Sequence, residues 1–139
     1  MCISHIKTCG HSAAIESNGD IYVCDHYVFP EYLLGNIKEK PLASIVYSKE
    51  AMRFGQAKRT QLTQECKECL WLHACNGECP RLRFTTDKYG NPGHNYLCKG
   101  YKKYFAHVAP YMDYMKRQLQ LQQPPSNVMQ WIREGNLNP

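Results

Sequence analysis

Four cysteines lie within fourteen residues of this chain, in the segment CKECLWLHACNGECP that begins at Cys66 and ends at Pro80. Four further cysteines flank it at a distance. The eight cysteines of the sequence are Cys2, Cys9, Cys24, Cys66, Cys69, Cys75, Cys79 and Cys98. A hydrophobic core does not need thiols at this density. Thiols in such numbers pair as disulfides, bind zinc or hold iron–sulfur clusters.

Composition leaves these three uses open. An even number of cysteines suits disulfides, but the start of the chain, MCISHIKTCGH, has no basic region, apolar run or cleavage site of a secretory signal. The C-x2-C pair at Cys66 and Cys69 is a common zinc half-site. Eight thiolates also fill two clusters that take four each. Composition therefore favours clusters and zinc equally, and disulfides less.

The spacing of the dense run distinguishes between the metals. Its pattern is Cys66-x2-Cys69-x5-Cys75-x3-Cys79-Pro80. Bacterial ferredoxins end their cluster-binding run with C-x3-C-P, and the last of those cysteines binds a second cluster. An x5 gap followed by an x3 gap is unusual for zinc. The spacing therefore favours iron–sulfur clusters, with the dense run serving two of them.

Size and charge limit the other functions. The chain has 139 residues, enough for one domain with a modest core, and no apolar run long enough to cross a bilayer. Its formal charge is +5. Eight thiolates and two four-iron cores of about +2 each would bring the loaded protein to about +1. No block of Lys and Arg with interleaved aromatic residues is present. We therefore expect neither nucleic acid nor a membrane as a partner.

The residue pattern predicts an α+β fold that begins with a hairpin. Asn18-Gly19 between two short apolar runs indicates a two-residue turn, which would pair Ser17 with Asp20 and place Cys24 opposite Ala13. Two short helices should follow. Pro41 is suited to the start of the first, and Ser48 can cap the second. Residues 63–98 read as a cysteine-rich loop region that depends on its sulfur ligands to stay folded.

A helical stripe follows Cys98. Apolar residues recur at steps of three and four from Tyr101 to Leu119, which predicts a long C-terminal helix. Pro110 should break or kink it. The stripe is interpreted as a packing surface. Residues 1–122 are thus predicted to form one domain, and residues 123–139 a tail.

The cysteine pattern resembles a known family. Cys9-x9-Gly19-x4-Cys24, then the dense run, then a distant Cys98 resembles the seven-cysteine signature of the SPASM domain, the C-terminal auxiliary-cluster domain of a group of radical S-adenosylmethionine enzymes. The segments CGHSAAIESNGDIYVCDHYVFPEYLLGNI and YFAHVAPYMDYMKRQL, together with PPSNVM in the tail, are similar to anaerobic sulfatase-maturating enzymes. The resemblance covers almost the whole chain.

The resemblance implies two [4Fe–4S] clusters with interleaved ligands. The first would be bound by Cys2, Cys9, Cys24 and Cys79. The second would be bound by Cys66, Cys69, Cys75 and Cys98. Cys2 supplies the eighth thiolate, and the alternative for it is a fortuitous terminal thiol. His11, His26 and His73 lie close in sequence to ligands and could donate to cluster sulfurs; the simpler interpretation is polar loop residues.

The resemblance also implies a catalytic base, Asp25. In these enzymes the aspartate at this CD position is the proposed base in the oxidation of a sulfatase Cys or Ser to formylglycine. If the strand continues through this point, alternation aims Cys24 and Asp25 at opposite faces. Burial near a cluster would raise the pKa of the carboxyl. The alternative is an Asp that caps a turn at the end of the strand.

One motif is absent from the sequence. The catalytic cluster of radical S-adenosylmethionine enzymes is bound by C-x3-C-x2-C, but Cys75-x3-Cys79 is followed by Leu82 in place of a third cysteine. The chain is thus expected to be a cytoplasmic C-terminal fragment that does not turn over alone. Its expected partners are a sulfatase polypeptide and its own upstream barrel, which would carry S-adenosylmethionine and a third cluster. The alternative is a zinc-stapled module that binds a peptide or protein without redox activity.

Overall fold

The computed structural model describes residues 6–10 and 12–136 and shows the predicted α+β class. The strands are β1 (Ala14–Ile15), β2 (Asp20–Tyr22), β3 (Leu33–Asn36), β4 (Thr85–Thr86) and β5 (Pro92–His94). The helices are α1 (Leu42–Val46), α2 (Lys49–Thr60), α3 (Gln64–Lys67), α4 (Leu72–Cys75), α5 (Cys98–Gln120) and α6 (Val128–Arg133). The chain divides into two compact units, one ending at Cys98 and one beginning at Lys99.

The N-terminal hairpin is present, but its predicted register is wrong by one residue. Ala14 pairs with Tyr22 and Ile15 with Ile21. The Glu16 N–H donates to the Asp20 carbonyl at 2.9 Å, which leaves a three-residue loop in which Gly19 has a φ of +95°. Both two-residue and three-residue hairpin loops accommodate a glycine in the left-handed conformation. The Asn-Gly pair alone therefore does not determine the length of the loop. Ser17 therefore does not pair with Asp20, and the pairing does not extend to Cys24.

Strand β2 is the centre of a three-stranded antiparallel sheet in the order β1-β2-β3. Ile21 pairs with Gly35 of β3, and the side chain of Ile45 from α1 lies over that glycine. Ile21 and Ile45 are almost completely buried. They form the apolar centre of the first unit, and the sheet holds the chain that leads to Cys24.

Both predicted short helices are confirmed. Helix α1 begins directly after Pro41. Helix α2 is capped by Ser48, whose hydroxyl oxygen accepts a hydrogen bond from the Ala51 N–H at 3.2 Å. The buried residues of α2 are Ala51, Gly55 and Lys58, which lie at steps of four and three and therefore share one face. This face is what α2 presents to the rest of the unit.

Residues 63–98 contain more local structure than the predicted loop region. Two one-turn helices, α3 and α4, carry Cys66 and Cys75. A small hairpin of β4 and β5 follows, in which Thr85 pairs with His94. Helices this short are not stable by themselves, so the region needs other interactions to stay ordered. The expected dependence on the cysteines is consistent with this geometry.

The apolar core of the first unit is small. Among its described residues, the buried hydrophobic side chains are Ile21, Val23, Tyr27, Ile45, Ala51 and Cys79. Leu70 and Phe84 in the cysteine-rich region remain 77% and 68% exposed. Domains with so little buried apolar surface usually carry disulfides or bound metals.

The second unit consists of α5 and the segment that follows it. Pro110 lies inside α5 without ending it, so the predicted alternative of a broken helix is not observed. Within residues 123–136, α6 packs back on α5: the ring of Trp131 stacks on Tyr114 with centroids 4.4 Å apart. The Asn127 side-chain amide donates to the side-chain oxygen of Gln118 at 2.9 Å. In the part of the chain that the structure describes, no helix has the length and apolarity that crossing a bilayer requires.

Candidate metal-binding site

Cys24 and Cys79 converge on one histidine. The His26 backbone N–H donates to the Cys24 sulfur at 3.5 Å, and the His26 Nδ1 atom lies 3.4 Å from the Cys79 sulfur. His26 and Cys79 are 53 residues apart in sequence. Cys79 is buried and Cys24 half-buried. The fold therefore brings together two cysteines that were predicted to share a metal centre.

Helix α2 positions Cys9 in the same group. The Cys9 N–H donates to the Gly55 carbonyl at 3.0 Å. Burial raises the pKa of Tyr27 to about 12, and negative charge on Cys79 and Cys9 contributes in the same direction, so both thiols lie within electrostatic reach of this phenol. We refer to Cys9, Cys24 and Cys79 as the first cysteine group. The predicted fourth member, Cys2, and the candidate donor His11 lie outside the described residues.

A second cysteine group lies along α3 and α4. Burial raises the pKa of the Cys75 thiol, and negative charge on Glu78, Cys66 and Cys69 raises it further. The Cys69 N–H donates to the Cys66 carbonyl at 3.2 Å, which folds the C-x2-C pair into a tight turn. Cys66 and Cys69 are thus within electrostatic reach of Cys75, and these are three of the four thiols predicted for the second cluster.

His94 links Cys98 to this second group. The ring is 5% exposed, and its Nδ1 atom lies 3.6 Å from the Cys66 sulfur and 2.9 Å from the Thr63 hydroxyl. One potential ligand atom from each of Glu65, His94 and Cys98 lies within 4.8 Å of the other two. The same buried imidazole therefore contacts Cys66 and adjoins Cys98. We refer to Cys66, Cys69, Cys75 and Cys98 as the second cysteine group.

The segment between Cys75 and Cys79 joins the two groups. Asn76, Gly77 and Glu78 all have left-handed backbones, with φ of 47°, 71° and 56°. This conformation is costly for the two residues that are not glycine, so surrounding contacts must hold it. A Cβ on residue 77 would overlap the side chains of Leu62 and Arg83. The turn sends Cys75 and Cys79 to different groups although only three residues separate them.

The donor atoms suit soft metals. No disulfide joins any of the seven cysteines within the described ranges. Thiolates in groups of four are typical of iron–sulfur clusters and of structural zinc. Two mixed sets, Cys24 with Asp25 and His26, and Glu65 with His94 and Cys98, could also hold a single metal ion. The zinc alternative thus retains a structural basis, and the assignment of ligands to two clusters stays a prediction.

Asp25 does not have the predicted environment. Strand β2 ends at Tyr22, so alternation does not continue to this point. The Cys24 thiol donates to the Asp25 carboxylate at 3.0 Å, so the two side chains meet and do not point to opposite faces. This hydrogen bond lowers the pKa of the exposed Asp25, with a smaller raising effect of desolvation, where the sequence predicted a raised pKa. The donor exists only while Cys24 carries its proton.

The sequence identified one of the histidines that contact thiols and missed the other. His26 was a candidate donor and lies at Cys79, whereas the His73 Nδ1 atom lies 3.0 Å from the Leu70 carbonyl in an exposed turn. His94 and Arg83 were not identified. Each lies four residues from a cysteine, and no spacing rule marks such positions.

The chain is similar to known iron–sulfur proteins. Residues 7–70 match the SPASM family, described as an iron-sulfur cluster-binding domain. The chain is 53% identical over 131 residues to a serine-type anaerobic sulfatase-maturating enzyme of Bacteroides thetaiotaomicron, a match that covers 94% of this chain and 32% of that protein. It is 31% identical over 103 residues to a cysteine-type anaerobic sulfatase-maturating enzyme of Clostridium perfringens, covering 74% of this chain and 27% of that protein.

A solved structure supports the same relationship. Native anSMEcpe with bound AdoMet and Cp18Cys peptide superimposes with a TM-score of 0.70 at 27% identity, covering 85% of this chain and 32% of that one. The chain thus spans about a third or less of the length of these two curated relatives. The match to the family is local, whereas the match to the Bacteroides protein extends across nearly all of the chain.

Proposed function

Because residues 7–70 belong to the SPASM family of iron–sulfur cluster-binding domains, we propose that this chain is the auxiliary iron–sulfur domain of an anaerobic sulfatase-maturating oxidoreductase. The observation that carries the proposal is a pair of contacts between separate segments of the chain, in which His26 lies at the Cys79 sulfur and His94 lies at the Cys66 sulfur. Two zinc ions would also need two sets of ligands, so metal analysis has to distinguish iron–sulfur clusters from zinc.

The proposal includes two [4Fe–4S] clusters. Cys9, Cys24 and Cys79 would bind the first together with Cys2, and the second cysteine group would bind the second. A bound cluster of this type supplies one-electron redox chemistry. The protein's own contribution is to hold the thiolates in place. His26 and His94 can orient them by hydrogen bonding, as residues around metal ligands commonly do.

The proposed activity is the oxidation of a sulfatase Cys or Ser to formylglycine. The substrate side chain would lose a hydrogen atom from its β-carbon, a proton from its thiol or hydroxyl group, and one electron. These losses convert Ser directly into the aldehyde. They convert Cys into a thioaldehyde, which water would then hydrolyse to the aldehyde with release of hydrogen sulfide. Asp25 would accept the proton. An aspartate carboxylate is ionised at neutral pH without help from the Cys24 thiol, and the exposed position of Asp25 leaves it open to a peptide.

The partners follow from the same proposal. A barrel upstream of this chain would carry S-adenosylmethionine and a third cluster, and a sulfatase polypeptide would be the substrate. Two solved relatives hold AdoMet together with a peptide, which supports this substrate class. Residues 1–122 would form the auxiliary domain and residues 123–139 its tail. A cytoplasmic, reducing setting belongs to the proposal because the thiolates must stay reduced.

Metal and sulfide analysis tests the proposal. The chain is prepared without oxygen, reconstituted with iron and sulfide, and assayed for iron, acid-labile sulfide and zinc. We expect brown protein with about eight irons and about eight sulfides per chain, four of each for every cluster. If protein kept strictly anaerobic holds zinc tightly and contains no labile sulfide, the zinc-stapled binding module is established instead. Retained folding without any metal would exclude both.

A further inference from the structure

Arg83 is a half-buried cation held by backbone carbonyls. Its Nε–H donates to the Gly77 carbonyl at 2.9 Å, and Nη1 donates to the Lys58 carbonyl at 2.8 Å. Nη2 donates to the carbonyls of Asn76 and Glu78 at 3.3 and 3.2 Å. Carbonyl groups accept these hydrogen bonds without carrying a net charge. The guanidinium is therefore fixed in position while its positive charge persists.

This charge lies on the turn that connects Cys75 with Cys79. Burial lowers the pKa of Arg83, and negative charge on Cys66, Cys9, Cys75 and Cys79 acts in the opposite direction. Two of these thiols belong to the second group and two to the first. The guanidinium also donates hydrogen bonds to the backbone carbonyls of residues 76–78, which form the turn that separates Cys75 from Cys79.

We propose that the fixed positive charge of Arg83 raises the reduction potentials of the iron–sulfur clusters bound by both cysteine groups. The inference rests on the proposed function and deepens it. Reduction adds one negative charge to a cluster, and a nearby cation stabilises the more negative state. Water and salt screen such an interaction strongly at the surface and less at a half-buried site. One residue would thereby keep both clusters able to accept an electron.

Two substitutions distinguish the effect of the charge from the effect of the hydrogen bonds that Arg83 donates to the turn. Arg83→Lys keeps the positive charge but cannot reach four carbonyls with a planar fork. Arg83→Gln loses the charge and also most of the donors. Both variants weaken the hold on residues 76–78, so only an effect confined to Arg83→Gln reports the charge. The matched control is Arg59→Gln, which makes the same change in net charge at an exposed position of α2.

The experiment uses the full-length protein with the C-x3-C-x2-C cysteines of its expected barrel changed to alanine, so that only auxiliary clusters titrate. Iron and sulfide are counted, and the potentials are measured by redox titration followed by electron paramagnetic resonance. The potential is held at the wild-type midpoint, and the ratio of reduced to oxidised cluster is measured. In Arg83→Gln we expect this ratio to fall about tenfold for both clusters, which corresponds to about 59 mV for one electron. Arg83→Lys and Arg59→Gln should keep the wild-type potentials.

The other outcomes also distinguish an electrostatic role of Arg83 from a purely structural one. If Arg83→Gln fails to retain iron while Arg83→Lys binds it at wild-type potentials, the requirement for charge is supported. Unchanged potentials in Arg83→Gln, equal shifts in Arg83→Lys or Arg59→Gln, or loss of iron from both Arg83 variants would overturn the inference and leave Arg83 a clamp on the turn. Wild-type protein that takes up no iron would instead overturn the proposed function.

Discussion

The backbone of Cys9 packs directly on Gly55 of α2. The Cys9 N–H donates to the Gly55 carbonyl at 3.0 Å, and a Cβ added at residue 55 would overlap the carbonyl carbon and oxygen of Cys9. A glycine inside a helix normally costs about 0.5–1 kcal/mol relative to alanine. Here the missing side chain is what lets the helix and the loop that carries Cys9 approach.

Gly55→Ala should therefore displace Cys9 and weaken metal binding by the first cysteine group. Overpacking of this kind typically costs about 1–3 kcal/mol, more than the gain in helix propensity. Iron content after gel filtration and the rate of iron loss to a chelator measure the effect. Gly100→Ala is the matched control, since a Cβ there meets no atom within 4 Å. Equal iron retention in the two variants would show that the contact does not position Cys9.

Removing one cysteine from each group should remove different irons. Cys24→Ala and Cys98→Ala are each expected to lose about four of the about eight irons, and the double variant nearly all, because each cysteine belongs to a separate four-thiolate set. Iron and sulfide analysis with Mössbauer or electron paramagnetic resonance spectra checks this. Identical residual spectra in the two single variants would contradict the division into two groups.

His94 should stabilise the second cysteine group. Its ring is buried, and the Nδ1 atom contacts both the Cys66 sulfur and the Thr63 hydroxyl, so His94→Ala removes a contact to a proposed ligand and leaves space behind. We expect faster iron loss to a chelator from that group. Thr63→Val, which removes only one hydrogen bond, should cost about 1 kcal/mol of unfolding free energy.

The control for His94 is His73→Ala. His73 is even nearer to a cysteine in sequence, but its ring is exposed and its Nδ1 atom lies beside a backbone carbonyl. Its iron release should match the wild type. Similar acceleration in both variants would mean that any histidine near the cysteines has the same effect.

Asp25 should be required for turnover and dispensable for metal binding. In the full-length enzyme, Asp25→Asn is expected to keep its irons while formylglycine yield on Cys and Ser peptides falls by about 10²-fold or more, the usual contribution of a general base. Mass spectrometry of the peptide measures the yield. Asp113→Asn, an exposed acid in α5, is the control. Wild-type yield from Asp25→Asn would exclude the base assignment.

Asp87 should make stability depend on pH in acid. Burial acts to raise the pKa of its carboxyl, but hydrogen bonds from Asn91, Glu65 and Tyr89 outweigh this and lower it from 3.8 to about 2. A lowered pKa in the folded state means that the contribution is fully present above pH 3.8. It is lost as the pH falls towards about 2.

Urea unfolding between pH 5 and pH 2 tests this expectation. The wild-type midpoint should fall more steeply with decreasing pH than that of Asp87→Asn, whose amide does not titrate. Acid also affects metal binding, but it does so equally in both proteins. The difference between their unfolding midpoints at each pH therefore reports the carboxylate of residue 87. Parallel pH profiles would show that the carboxylate is not responsible.

The sequence indicated some features of this fold well because they depend on local chemistry. Ser48 caps α2 and Pro41 precedes α1 for reasons contained in a few neighbouring residues. The hairpin was predicted for the same reason, but its register was not. The two-residue and three-residue loops use the same Asn-Gly signal and differ by only one residue in pairing.

The site was less accessible to sequence reasoning. Cysteine spacing indicated two sets, yet His94 and Arg83 reach them through contacts between distant segments, which no local pattern encodes. The pKa of Asp25 was predicted to rise with burial, but the residue is exposed and accepts a hydrogen bond from its neighbour Cys24. The error came from expecting the Asp25 carboxyl to be buried.

The small apolar core has a consequence for the life of the protein in a cell. Because the first unit has few buried side chains, we expect binding of the proposed clusters to supply much of the free energy that orders its cysteine-rich region. Polypeptide made during iron shortage would then remain open to proteases and could not accumulate as a reserve. The steady-state amount of this protein should follow nutrient supply even where its messenger RNA is constant.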